Sequence, residues 1–166
     1  GIGDAPTLWH KVNPNWEQVK AAVDAFDFTG FKELVFCGYG EPTCALDLML
    51  KTARYVRRIH PELKLRVNTN GLGNLENGRD IVPELAQVMD AVSISLNAPD
   101  EADYNKVTRP TLPGAYQAML DFARECKKMI PDTRMTVVDV LPPDQIEASR
   151  KVAESCGIKL RVRHFA

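Results

Sequence analysis

Glu33–Thr43 reads ELVFCGYGEPT, and its order decides the fold: a short apolar run, then a glycine turn, then a helix start. The run Glu33–Cys37 stops at Gly38 and looks like a strand buried on both faces. A helix is expected from Ala45 to Ile59, halted by Pro61. Upstream, Val19, Ala22, Val23 and Phe26 recur at helical spacing within Trp16–Phe26, with Asn15 as N-cap and Pro14 before it. Downstream the same rhythm repeats. Strands are expected at Lys64–Asn68, Ala91–Leu96, Arg134–Val140 and Ile158–Arg163. Between them lie helices at Ile81–Met89, Gly114–Met129 and Pro143–Cys156, and a helical turn at Glu101–Val107. Pro83 suits the first turn of its helix, and Gly157 suits a C-cap. Strands that alternate with helices, without hairpins, make βαβ units and a mostly parallel sheet. One domain is expected, because no linker, repeat or low-complexity tract interrupts the chain.

The 166 residues are enough to bury a core. A (β/α)8 barrel takes about 250 residues, so the candidates are a five-stranded doubly wound sheet or an incomplete barrel. The chain opens on Gly1 and on a helix, which favours an incomplete barrel whose first strand is missing. A formal net charge of -1 gives no global attraction to nucleic acid or to a membrane surface. No apolar run approaches a spanning helix, and Gly1–Asp4 is no signal peptide. A cytoplasmic location with free thiols is therefore expected. The four cysteines, Cys37, Cys44, Cys126 and Cys156, match no metal-cluster spacing. Cys126 and Cys156 fall in helical patterns and read as small core residues, whereas Cys37 and Cys44 flank the first turn.

Ligands of parallel α/β folds bind at the carboxyl ends of the strands. Gly38, Tyr39, Gly40, Glu41, Pro42 and Thr43 follow the first strand, and Thr69, Asn70 and Gly71 the second. Ser95 and Asn97 mark the third, Asp139 the fourth and His164 the fifth. Small residues, hydroxyls, amides and acids on one rim suit a polar small molecule. Each position also has a plainer reading. Gly38-Tyr39-Gly40 is not GxGxxG and can be only a tight turn. Asn70-Gly71 and Asn77-Gly78 are common turn pairs, and Ser95 and Asn97 can serve backbone groups where the sheet ends. Asp139 can be a capping or ion-pairing acid. Gly71–Asp80, GLGNLENGRD, is either a ligand lid or a long turn.

In order, ELVFCGYGEPT, LRVNTNGLGNLENGRDIVPELA and AVSISLNAPDEADYNKVTRP resemble the radical SAM superfamily, and within it the subgroup associated with TatD-type nucleases. The likeness runs from about Glu33 to the C-terminus. It implies an incomplete parallel barrel of six βα units, of which the five strands here are the second to sixth, with S-adenosylmethionine across the strand ends. Gly40-Glu41-Pro42 matches the family's Gly-Gly-Glu-Pro motif, with Tyr39 standing where its first glycine often is. By that match the backbone there and the Glu41 carboxylate bind the methionine ammonium, which takes several acceptors. Thr69 and Asn70 then lie near the cofactor's carboxylate or the substrate, Ser95 and Asn97 reach the ribose hydroxyls, and Asp139 completes the rim. The family's CxxxCxxC loop, which holds a [4Fe–4S] cluster, is not in the sequence. The resemblance thus implies the cofactor-binding part of an iron–sulfur oxidoreductase. The parent makes a 5′-deoxyadenosyl radical, and the part lacking the loop is inactive.

Two other readings make different demands. A complete flavodoxin-like domain binding a phosphorylated ligand or a partner requires a central first strand and helices on both faces. A sugar- or acid-processing barrel requires a catalytic Lys or a His/acid set at the strand ends, and no such Lys is present. A barrel without its first strand also leaves Glu33–Cys37 as an open edge. Self-association, a domain contact or Gly1–Asn15 is expected to cover it.

Overall fold

The computed structural model describes residues 14–38 and 40–165. Five parallel strands form one sheet in the order β1-β2-β3-β4-β5. They are Glu33–Phe36 (β1), Lys64–Thr69 (β2), Ala91–Ser95 (β3), Asp132–Val138 (β4) and Lys159–Arg163 (β5). The helices are Trp16–Ala25 (α1), Leu46–Ile59 (α2), Gly73–Asn77 (α3), Val82–Val88 (α4), Glu101–Thr108 (α5), Ala115–Met129 (α6) and Pro143–Ser155 (α7), with a 3-10 turn at Pro42–Ala45. Each strand pairs with the next in the chain. Crossovers of one hand between such strands carry every helix to the same side. This order is an incomplete parallel βα barrel and lacks the central first strand that a flavodoxin-like domain requires.

The strands alternate, and that sets where the core lies. Leu34 and Phe36, Leu65 and Val67, Val92 and Ile94, Met135 and Val137, and Leu160 are buried with the helices. There α1 packs on α2, α2 on α4, and α4 on α6. Their neighbours in sequence point the other way. Register sets Glu33 beside Lys64, Asn68 beside Ser93, Ser95 beside Thr136 and Thr136 beside Arg161 on this second, polar face. β1 is therefore half-buried, not buried on both faces as its apolar run suggests. Val35 is apolar yet sits on the polar side, only partly covered, which hides the alternation. β1 is an edge strand, but its Leu34 and Phe36 are already 3% and 7% exposed, so the edge offers main-chain groups rather than these side chains. Of the segment Gly1–Asn15, expected as one possible cover, residues 1–13 lie outside the described residues.

Local chemistry ends the helices where the sequence suggests. Asn15 Oδ1 accepts from the Gln18 amide at 2.8 Å and Gln18 Oε1 from the Asn15 amide at 3.0 Å, a reciprocal cap for α1. Gly157 follows α7 at φ +72°, and its N–H donates to Glu154 O at 2.8 Å. Two stretches differ from expectation by more than a residue. β4 starts at Asp132, paired with Ala91, and ends at Val138, so Asp139 lies beyond the strand. Leu141 N–H turns back to Val138 O at 3.3 Å, which ends the ladder before the prolines. Gly71–Asp80 is not one long turn, for it holds α3, closed by Gly78 at φ +65°. Asn77 Nδ2 donates to Gly73 O at 2.8 Å and to Thr43 O at 3.0 Å, docking α3 on the 3-10 turn. The pair Asn77-Gly78 is thus a helix end.

Candidate functional site

Glu41 joins the ends of β1 and β2. Its Oε2 accepts from the Thr43 amide at 3.0 Å, the Thr43 hydroxyl at 2.5 Å and the Thr69 hydroxyl at 2.7 Å. Its Oε1 accepts from the Asn70 amide at 2.6 Å. A carboxylate offers about four lone-pair sites, so one side chain fixes the two loops in register. The Thr69 hydroxyl also accepts from the Gly71 amide at 3.1 Å, and Asn70 Oδ1 from the Leu72 amide at 2.9 Å. Gly71 stands at φ +80°, where a Cβ would meet Met119 Cγ at 2.8 Å and Ile94 Cγ2 at 2.9 Å. Only glycine lets this turn lie so close to α6. Gly38, at φ +144°, and Gly40 are exposed beside the clamp, and Pro42 opens the 3-10 turn. Tyr39 lies outside the described residues.

The polar face carries an open-sided cavity of about 310 Å³, lined among others by Arg66, Asn68, Ser95, Thr136, Arg161 and Arg163. It spans the sheet, from Val35 on β1 to His164 after β5. Partial burial pushes the Cys37 thiol above its ordinary value, and the charge of Arg163 on β5 acts against that. At one end of the face Asp132 takes Lys64 at 2.6 Å, Arg134 at 3.1 Å and Arg66 at 3.4 Å. Arg66 also reaches Glu33 at 3.3 Å and donates to the Ser93 hydroxyl at 2.9 Å. Partial burial alone would raise the Asp132 carboxyl. The Lys64 hydrogen bond and the charges of Arg134, Lys64 and Arg66 outweigh it and hold the group below its ordinary value. Asn68 Oδ1 is buried and has no partner among the described residues.

The candidate residues divide into three groups. Gly38, Gly40, Glu41, Pro42, Thr69 and Asn70 meet at the clamp. Ser95 lines the cavity, and Asn97 follows β3 at φ +69°. Asp139, past the end of β4, is exposed, accepting from the Phe165 amide at 2.9 Å and paired at 2.9 Å with His164, which lines the cavity. The Phe165 and His164 hydrogen bonds hold its carboxyl below the ordinary range. Strand-end reasoning passed over Arg66, Asn68, Arg161 and Arg163, which lie inside strands. The signal for them is the alternate placing of polar residues in KLRVN and IKLRVR.

The radical SAM superfamily model matches residues 4–154. The chain belongs to the radical SAM superfamily. No curated protein matches it. Membership in the radical SAM superfamily implies S-adenosylmethionine and a [4Fe–4S] cluster as the family's cofactors. The exposed backbone of Gly38 and Gly40 and the Ser95 hydroxyl suit a ligand rich in donors and acceptors such as S-adenosylmethionine. The residues do not fit the cluster. Among the described residues no three His, Cys, Asp or Glu side chains converge on a metal position, and Cys126 and Cys156 are buried in the core. No helix among the described residues is long and apolar enough to cross a membrane.

Proposed function

We propose that these residues form the S-adenosylmethionine cradle of a radical SAM oxidoreductase, of the subgroup associated with TatD-type nucleases. The cluster is held by cysteines outside this sequence, so the chain alone is inactive in the radical reaction. The observation that carries the reading is the Glu41 clamp, because it fixes Glu41, directly after Gly40, against Thr69–Asn70 at neighbouring strand ends. A loop fixed in this way presents its carbonyls as preorganised acceptors for an ammonium group, with little ordering left to do on binding. Glu41 adds its negative charge there, although four donors already occupy most of its lone pairs. Thr69 and Asn70 serve the cofactor's carboxylate end through the turn they hold. Ser95 and Asn97 meet the ribose hydroxyls, and Asp139 closes the rim on the β4 side. When bound beside its cluster, the cofactor supplies radical chemistry that no side chain can.

Equilibrium dialysis with labelled S-adenosylmethionine tests the cradle. Saturable uptake is expected, weakened about tenfold or more in S95A/N97A. Absence of saturable uptake overturns the reading. Reconstitution with iron and sulfide tests the second part: a stoichiometric [4Fe–4S] absorbance on these residues overturns the assignment of the cluster to other cysteines.

A further inference from the structure

The polar face of the sheet is cationic in an otherwise balanced chain. Lys64, Arg66, Arg134, Lys159, Arg161 and Arg163 alternate onto it, against Glu33 and Asp132. The acids are spoken for, since Glu33 pairs with Arg66, and Asp132 holds Lys64, Arg66 and Arg134. Arg161 and Arg163 are different. They line the cavity two residues apart on β5, and neither has a carboxylate within ion-pair distance among the described residues. Two residues along a strand separate their stems by about 6.6 Å, so both guanidinium forks can reach one group. Each carries five N–H donors and no acceptor. The Thr136 hydroxyl lies in register beside Arg161.

A second, independent feature points to a ligand in the same cavity. Asn68, on β2, has its Oδ1 buried without a donor among the described residues. A buried unpaired carbonyl oxygen carries an uncompensated desolvation penalty, which an incoming N–H or O–H removes.

We propose that Arg161 and Arg163 hold the anionic group, carboxylate or phosphate, of a small-molecule substrate that also donates a hydrogen bond to Asn68. This rests on the reading of the strand-end loops as the cofactor cradle, since it makes the cavity beneath them the substrate's place. Charge–charge attraction between planar guanidinium groups and a multi-oxygen anion is both strong and directional. The concave face also raises the local concentration of anions before any contact forms.

The test uses the 166-residue chain, with inorganic phosphate and, separately, succinate as probes at constant ionic strength set by sodium chloride. The readout is the NMR shift of arginine Nε–Hε signals. Saturable movement of the Arg161 and Arg163 signals with either probe is expected. R161Q/R163Q should weaken that binding at least tenfold. K159Q, on the same strand and face but outside the cavity lining, should leave it unchanged. A response that stays linear in probe concentration, or that persists in R161Q/R163Q, overturns the assignment. So does an equal loss of S-adenosylmethionine uptake in R161Q/R163Q, which would give the pair to the cofactor's carboxylate. If the unmodified chain takes up no S-adenosylmethionine yet binds phosphate through the two arginines, the cradle reading fails while the anion site stands.

Discussion

The hydroxyl of Thr69, the last residue of β2, donates to the carboxylate of Glu41 in the loop after β1 at 2.7 Å. The two residues are 28 positions apart in the chain, and their bond makes two strand-end loops behave as one piece.

Glu41→Gln should destabilise the protein by about 2 kcal/mol, because the amide replaces an acceptor oxygen with a donor facing donors. Thr69→Val should cost about 1 kcal/mol, since Glu41 keeps its other partners. The double variant should cost less than the sum of the two. Urea denaturation of the four proteins measures this coupling, and strict additivity would show that the two loops are independent.

Asp132 makes the stability depend on acid pH. Its folded carboxyl lies below the ordinary value of about 3.9, so its contribution is present above that pH and is lost as pH falls through the lower, folded value. Unfolding midpoints between pH 6 and pH 2 should therefore drop on the acid side. In Asp132→Asn that part of the drop should vanish. At neutral pH the variant should be less stable by about 2 kcal/mol, because Arg66, only 7% exposed, loses a partner.

Gly71→Ala should cost about 2 kcal/mol or more. The added methyl meets Met119 and Ile94, and φ +80° is itself unfavourable for alanine. Thermal denaturation checks it. Gly114→Ala, at φ +73° but with open space around it, is the control and should cost less.

Thiol labelling should separate the cysteines in two pairs. Cys37 and Cys44 are accessible and should react in the native protein, the more slowly because partial desolvation raises both thiols. Cys126 and Cys156 are buried, and burial drives the Cys126 thiol far up, so these two should label only on unfolding. Mass spectrometry before and after denaturant reads the pattern.

The βα order was legible because turn chemistry and apolar spacing agree at nearly every boundary, from the Asn15 cap to Gly157. The face of β1 was not. Val35 puts an apolar side chain on the polar side, so ELVFC carries no visible alternation. α3 was missed for another reason. Its five residues hold two asparagines and a glycine, and its support comes from Asn77 reaching Thr43, 34 positions away. At the site, Gly40-Glu41-Pro42 was legible as a motif, but the clamp depends on which donors surround Glu41, which only the fold brings together. Arg66, Arg161 and Arg163 look like ordinary solvent-side positions until strand register brings them to one cavity.

The neighbour-by-neighbour order of the sheet also bears on how the molecule forms. Every strand finds its partner in the next stretch of chain, so no pairing has to wait for a distant segment. The loop-closure entropy of each step is that of a single βα unit. Assembly can advance along the polypeptide as it leaves the ribosome, each completed strand–helix–strand unit serving as the template for the next. Each pairing still has to close over a helix, so the sheet forms more slowly than one built from tight hairpins.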